Sequence, residues 1–181
     1  MAIRNVRVVE DDILRKECRE VKEITERVNI LLDDMLETMY ATNGVGLAGP
    51  QVGILKRLCV IDVDDGNVYK MINPIIIERN GECVDIEGCL SIPNVNEYVI
   101  RPESVVARYF DENGDEIEIE AYDLLARCIC HELDHLDGVL FTDRAKEADK
   151  VKVEELLEKQ KQLEEEYCDE DFEDDLEIIE E

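Results

Sequence analysis

Ile24, Val28, Leu31, Leu32, Met35 and Met39 recur three and four residues apart, with Asp and Glu filling the other side. That spacing puts them on one face of a helix and predicts a helical core wall. Asn43-Gly44 supplies its stop. From Arg57 to Ala121 the apolar runs shorten to strand length, at 57–63, 71–77, 83–89, 104–110 and 116–122. The segments at 64–67, 79–82 and 111–115 carry the Asn, Asp and Gly that tight turns require. Ser104–Phe110 and Glu116–Tyr122, joined around Asn113-Gly114, read as an antiparallel hairpin. A second helix is expected from about Asp123 to Asp137, ending at Gly138, and a third from about Lys146 to Glu166. Strands in one block with helices at either end predict an α+β fold. In it, mostly antiparallel strands pack around the central helix, with further helices at the N- and C-terminal ends.

Composition adjusts this picture at one end. The chain has 181 residues, enough for one domain with a sizeable core. No linker or repeat divides it, so 1–166 is expected to be a single catalytic domain. The formal charge is −27, and Glu164–Glu181 alone contributes twelve Asp and Glu with no Lys or Arg. Residues 167–181 therefore read as an acidic tail, whose like charges disfavour compact structure. The rest of the chain is acidic too, which argues against nucleic acid or an anionic membrane as a direct partner. No apolar run approaches the ~18–20 residues that span a bilayer. The start of the chain lacks the apolar stretch of a secretory signal. The expectation is a cytoplasmic protein with reduced thiols. Its seven cysteines, at 18, 59, 83, 89, 128, 130 and 168, show no framework spacing.

The chemistry concentrates in His131-Glu132-Leu133-Asp134-His135. On a helix, His131 and His135 project from one face. Glu132, about a hundred degrees away, can reach a water on the metal rather than the metal itself. Leu124, Cys128, His131 and His135 form one stripe at spacings of four, three and four, so the histidines continue the inward face. These are the only two histidines, and a catalytic metal needs at least one more protein ligand with a position left open. Cys128 lies ~7.5 Å along the axis from the midpoint of the pair, too far for a short side chain. Cys130 points to another side of the helix. Cys89, in Glu87-Gly88-Cys89-Leu90-Ser91, is the better candidate, because the glycine before it allows close backbone approach. A downstream Glu, as in many metalloproteases, stays open on this reading.

Three segments in order resemble one family. Gly44-Val45-Gly46-Leu47-Ala48-Gly49-Pro50-Gln51, Glu87-Gly88-Cys89-Leu90-Ser91 and the histidine motif are similar to the three motifs of peptide deformylase. The likeness runs from the N-terminal helix to about Asp143. Gly49 departs from it, standing where many members have a second alanine. The resemblance implies a hydrolase that removes the formyl group of N-terminal formyl-methionine from new polypeptides. It also implies one divalent ion held by Cys89, His131 and His135, commonly Fe²⁺, with Zn²⁺, Ni²⁺ or Co²⁺ accommodated. Glu132 then carries the proton as base and acid, while the Gln51 amide and the Leu90 N–H face the oxyanion. Val45, Leu124 and Cys128 would line a slot for the methionine side chain, and an extended peptide would lie along Val45-Gly46. Glu87 is expected at the substrate side of the ligand-bearing turn, pairing with an Arg such as Arg101. Some members dock on the ribosome through a basic C-terminal helix. Here 146–161 mixes Lys with Glu, and the tail should be repelled by ribosomal RNA. Two rival readings remain at this stage: an HExxH zinc peptidase with a carboxylate as third ligand, and a non-catalytic metal-bound interaction module.

Overall fold

The computed structural model describes residues 2–148 and 150–162. Helix α1 (Glu26–Ala41) buries Val28, Leu31, Leu32, Met35 and Met39, the stripe that the spacing predicts. It ends where Asn43 enters the left-handed region at φ 54° and Gly44 N–H reaches back to the Met39 carbonyl. Strands β1 (Gly46–Ala48), β2 (Leu58–Ile61), β3 (Tyr69–Asn80), β6 (Ser104–Phe110) and β7 (Glu116–Tyr122) form one antiparallel sheet in the order β1-β2-β3-β6-β7. Strands β4 (Cys83–Cys89) and β5 (Ile92–Arg101) pair with each other as a separate two-stranded sheet. Helix α2 (Asp123–Leu136) carries both histidines, and a short α3 (Phe141–Glu147) follows.

The unbroken apolar run of β2 has a simple cause. Leu58 and Val60 face the cluster built on α1, while Cys59 and Ile61 face the cluster built on α2, so all four are buried. The sheet thus lies between the two helices, and α2 is covered along most of its length. A third cluster, of Leu14, Ile92, Val99, Leu140 and Phe141, joins β5 to α3.

The α+β architecture with its central helix is as expected, and three details differ. The third helix is not continuous from Lys146. Instead α3 starts at Phe141, Ala148 turns to an extended ψ of 129°, and the chain is helical again over 150–162. Strand β5 escaped notice because Pro93, Asn94 and Asn96 interrupt its apolar pattern. Strand β3 continues through Pro74, where a proline cannot donate to a ladder, and the register shifts between Ile72 and Ile75. Asn73 makes the detour at φ 53°, and its side-chain amide both donates to and accepts from the Val21 backbone, at 2.9 and 2.8 Å. The acidic tail at 167–181 lies outside the described residues.

Candidate active site

Four elements meet around one cavity of about 430 Å³. The edge strand β1 contributes Gly46, and the 3₁₀ turn Gly49–Val52 contributes Gln51. The end of β4 and the turn after it supply Glu87, Cys89 and Leu90. Helix α2 supplies Leu124, Cys128, His131 and Glu132, with His135 buried on the same helix. The His131 and His135 rings meet edge to face with centroids 4.9 Å apart, as their four-residue spacing on one helix dictates. Cys89 Sγ lies 3.2 Å from His135 Nε2. The donor atoms of Cys89, His131 and His135 are all within 4.8 Å of one another. Among the described residues no other group of three His, Cys, Asp or Glu converges in this way, so a carboxylate as third ligand finds no support there.

The geometry suits a divalent ion. A tetrahedral centre with bonds of about 2.3 Å to sulfur and 2.0 Å to nitrogen separates those two atoms by roughly 3.5 Å, close to what is found. The surroundings act oppositely on the two rings: burial, His131 and Arg101 push His135 well below the usual imidazole range. Burial works against a charged His131, yet Cys89, Glu87 and Glu132 outweigh it and raise its pKa to about 10. His131 Nδ1 is 3.0 Å from Glu87 Oε2, which directs its Nε2 toward Cys89 and His135. Phe141 stacks on the His131 ring, at 6.0 Å and 27°. Cys128, also on the cavity wall, is pushed up to about 12 by burial and stays a neutral thiol.

Glu132 is 3% exposed, and its Oε2 meets no hydrogen-bond partner. Burial pushes its carboxyl up to about 7, opposed by His131 and reinforced by Glu87. The carboxylate lies against Gly46, where an added Cβ would stand 2.9 Å from Glu132 Cδ, so only glycine fits between them. Gly46→Ala should therefore displace Glu132 and lower kcat by about tenfold to a hundredfold with the metal retained. Steady-state kinetics beside metal analysis test this, and an undiminished kcat would refute it.

Gln51 is 1% exposed and fixed at both ends. Its Oε1 accepts from the Ala48 N–H at 2.8 Å, and its Nε2 donates to Ser91 Oγ at 3.2 Å and toward Cys89 Sγ at 3.5 Å. Its amide N–H group is thereby aimed toward Cys89 and Ser91. Val45 and Leu124 are half exposed at the cavity wall, and Cys128 is buried beneath.

The family profile of polypeptide deformylase matches residues 3–151. The chain belongs to that family. A peptide deformylase of Agathobacter rectalis is 57% identical over 148 residues, covering 82% of this chain and 93% of its relative. Peptide deformylases also share the fold in solved structures. That of Thermotoga maritima has a TM-score of 0.77 at 39% identity, over 80% of this chain and 98% of its own. That of Synechococcus elongatus, solved in complex with actinonin, has a TM-score of 0.76 at 43% identity, over 85% of this chain and 84% of its own. Peptide deformylases are metal-dependent hydrolases that remove the N-formyl group from nascent polypeptides, and this chain shares that activity.

Glu87 pairs with Arg101, as expected; it is 5% exposed and both its oxygens are occupied. Arg101 forks onto them at 2.8 and 3.0 Å, Arg127 adds a contact at 2.7 Å, and His131 takes the remaining direction. Burial opposes its ionisation, but His131 and Arg101 hold its carboxyl well below the usual carboxylate range. Sequence reasoning missed Ser91, Phe141, Arg127 and Asp134 as parts of the site. The one signal for the last two was charge at positions of α2 that its apolar pattern assigns to the interior.

Proposed function

We propose that the chain deformylates N-terminal formyl-methionine in the cytoplasm, with Cys89, His131 and His135 holding Fe²⁺ and Glu132 moving the proton. The observation that carries this reading is the convergence of one thiol and two imidazoles at a cavity whose wall also holds a buried, unpartnered carboxylate. When bound, a divalent ion acidifies a water and polarises the formyl oxygen. Glu132 Oε2, with no competing partner, accepts the water's proton and returns it to the departing amine. Gln51 Nε2 and the Leu90 N–H donate to the oxyanion as it forms. A proton carrier and an aimed donor have no purpose in a non-catalytic interaction module.

The peptide lies against β1, which is the edge of its sheet. Val45 contributes its side chain to the wall, but its carbonyl already accepts from the Asp62 N–H at 3.0 Å. Gly46, the next residue, presents its backbone groups on the opposite edge in an antiparallel ladder. The methionine side chain enters between Val45, Leu124 and Cys128, where a neutral thiol makes an apolar wall. Among the described residues no helix is long and apolar enough to cross a membrane. The acidic charge leaves the nascent peptide, rather than ribosomal RNA, as the contact we assign.

Turnover of a formyl-methionyl peptide, with formate as the measured product, tests the reading directly. Gln51→Ala should lower kcat by about 10²–10³ with KM little changed, because its donor acts on the transition state. A rise in KM alone would instead make Gln51 a substrate-binding group. For the metal, the Fe²⁺ form should lose activity in aerated buffer while the Ni²⁺ form persists, since a reducing ion bound to thiolate invites oxidation. Equal half-lives would count against iron as the native ion.

A further inference from the structure

The three proposed ligands come from two units that share no strand pairing. Cys89 ends β4, whose only partner in its sheet is β5, and both histidines sit on α2. Their relative placement therefore depends on side chains, and two arginines join the units: Arg127 of α2, which reaches Glu87 at 2.7 Å and the Val99 carbonyl at 3.0 Å, and Arg101, which bonds both Glu87 and Asp134. Arg101 of β5 is 5% exposed and divides its three donor positions between two carboxylates. Its Nε and Nη2 fork onto Glu87 at 2.8 and 3.0 Å, and its Nη1 donates to Asp134 Oδ2 at 2.6 Å. Glu87 lies two residues before Cys89 and takes His131 Nδ1, whereas Asp134 lies between the two histidines in the sequence of α2. The contacts close a ring: His131, Glu87, Arg101, Asp134 and back along the helix to His131. From outside the ring, Arg144 of α3 holds Asp134 at 2.7 and 3.2 Å.

We propose that Arg101 and Asp134 are positioning residues of the metal centre. Held between Glu87 and Asp134, the Arg101 fork sets the separation of Cys89 from the two histidines and the orientation of the His131 ring. A guanidinium suits this task because its donors lie in one rigid plane, which an ammonium cannot reproduce. This inference rests on Cys89, His131 and His135 being the ligands.

Arg101→Gln gives a test in which charge and geometry predict opposite signs. Removing a cation near a cation site should tighten metal binding if electrostatics alone mattered. Loss of the fork should loosen it. The probe is the Co²⁺-loaded protein challenged with excess chelator, with release followed through the visible thiolate–Co²⁺ absorption. Melting of the metal-free form is recorded beside it. Expected is release at least about tenfold faster than wild type, with displaced absorption bands, at temperatures well below melting. Should Arg101→Gln fail to fold, Arg101→Lys carries the same expectation, because the charge is kept and only the fork is lost. Wild-type release and bands in the folded variant would overturn the proposal, whatever happens to melting. His131→Ala separates the two levels of inference. If it keeps the metal, the ligand assignment fails. If it loses the metal while the Arg101 variants hold Co²⁺ normally, only the positioning role fails.

Discussion

Replacing Glu132 with alanine is expected to lower kcat on a formyl-methionyl peptide by about 10²–10⁴ while metal content stays stoichiometric. The two halves of that expectation have separate origins. On α2, Glu132 is turned about a hundred degrees from His131, and it is absent from the set of converging donor atoms, so its loss leaves the three proposed ligands in place. Its Oε2 is buried without a partner in the described structure, and that is the atom available to a water's proton. Burial that pushes the carboxyl up to about 7 also brings its proton affinity near that of the groups it must serve at neutral pH. A variant keeping more than about a tenth of wild-type kcat would remove Glu132 as the proton carrier. One that lost its metal would make Glu132 a ligand. The Gly46→Ala change connects to this result. If its added methyl acts by displacing Glu132, then combining it with Glu132→Ala should cost little beyond Glu132→Ala alone.

The elements legible in the sequence were those whose side chains repeat. The α1 stripe, the doubly buried β2 and the β6–β7 hairpin around Asn113-Gly114 all follow from periodicity and turn chemistry. Strand β5 did not, because its exposed middle and Pro93 break the alternation, and its partner β4 is what defines it. The break at Ala148 left no mark in a stretch of helix-favouring residues, since nothing local forbids the helix from continuing. At the site, His131, Glu132 and His135 were readable because their spacing is itself the geometry. Cys89 could be preferred from its glycine-preceded turn, but only the resemblance decided between it and a downstream Glu, because no spacing rule ties it to a helix that starts at Asp123. The supporting charges were the least visible part. Arg101 was anticipated as a partner of Glu87, but Arg127 and Asp134 look like surface residues by type, and only three-dimensional pairing explains their exposures of 6% and 8%.

Cys89→Ala should abolish both metal retention and turnover, and it is the change that most directly tests the centre. Removing a hydrogen-bond partner of a metal ligand typically costs about 10–100-fold in affinity, and removing a ligand should cost more. Only two imidazoles would remain, since Cys128 points into the cavity as a neutral thiol and no carboxylate converges with the histidines among the described residues. The loss is measurable without any activity assay. An ion that binds the folded chain and is present at about a thousand times its Kd adds about 4 kcal/mol of stability. For a chain of this size that raises Tm by roughly 8–16 °C. Wild-type protein should show this increment on adding Ni²⁺, and Cys89→Ala should show little of it. The metal-free melting of the two should stay close, because Cys89 is only half-buried and its side chain is small. Retained stoichiometric metal and a full Ni²⁺ increment in Tm would show that the third ligand lies elsewhere, and would bring back the peptidase-like arrangement with a carboxylate in its place.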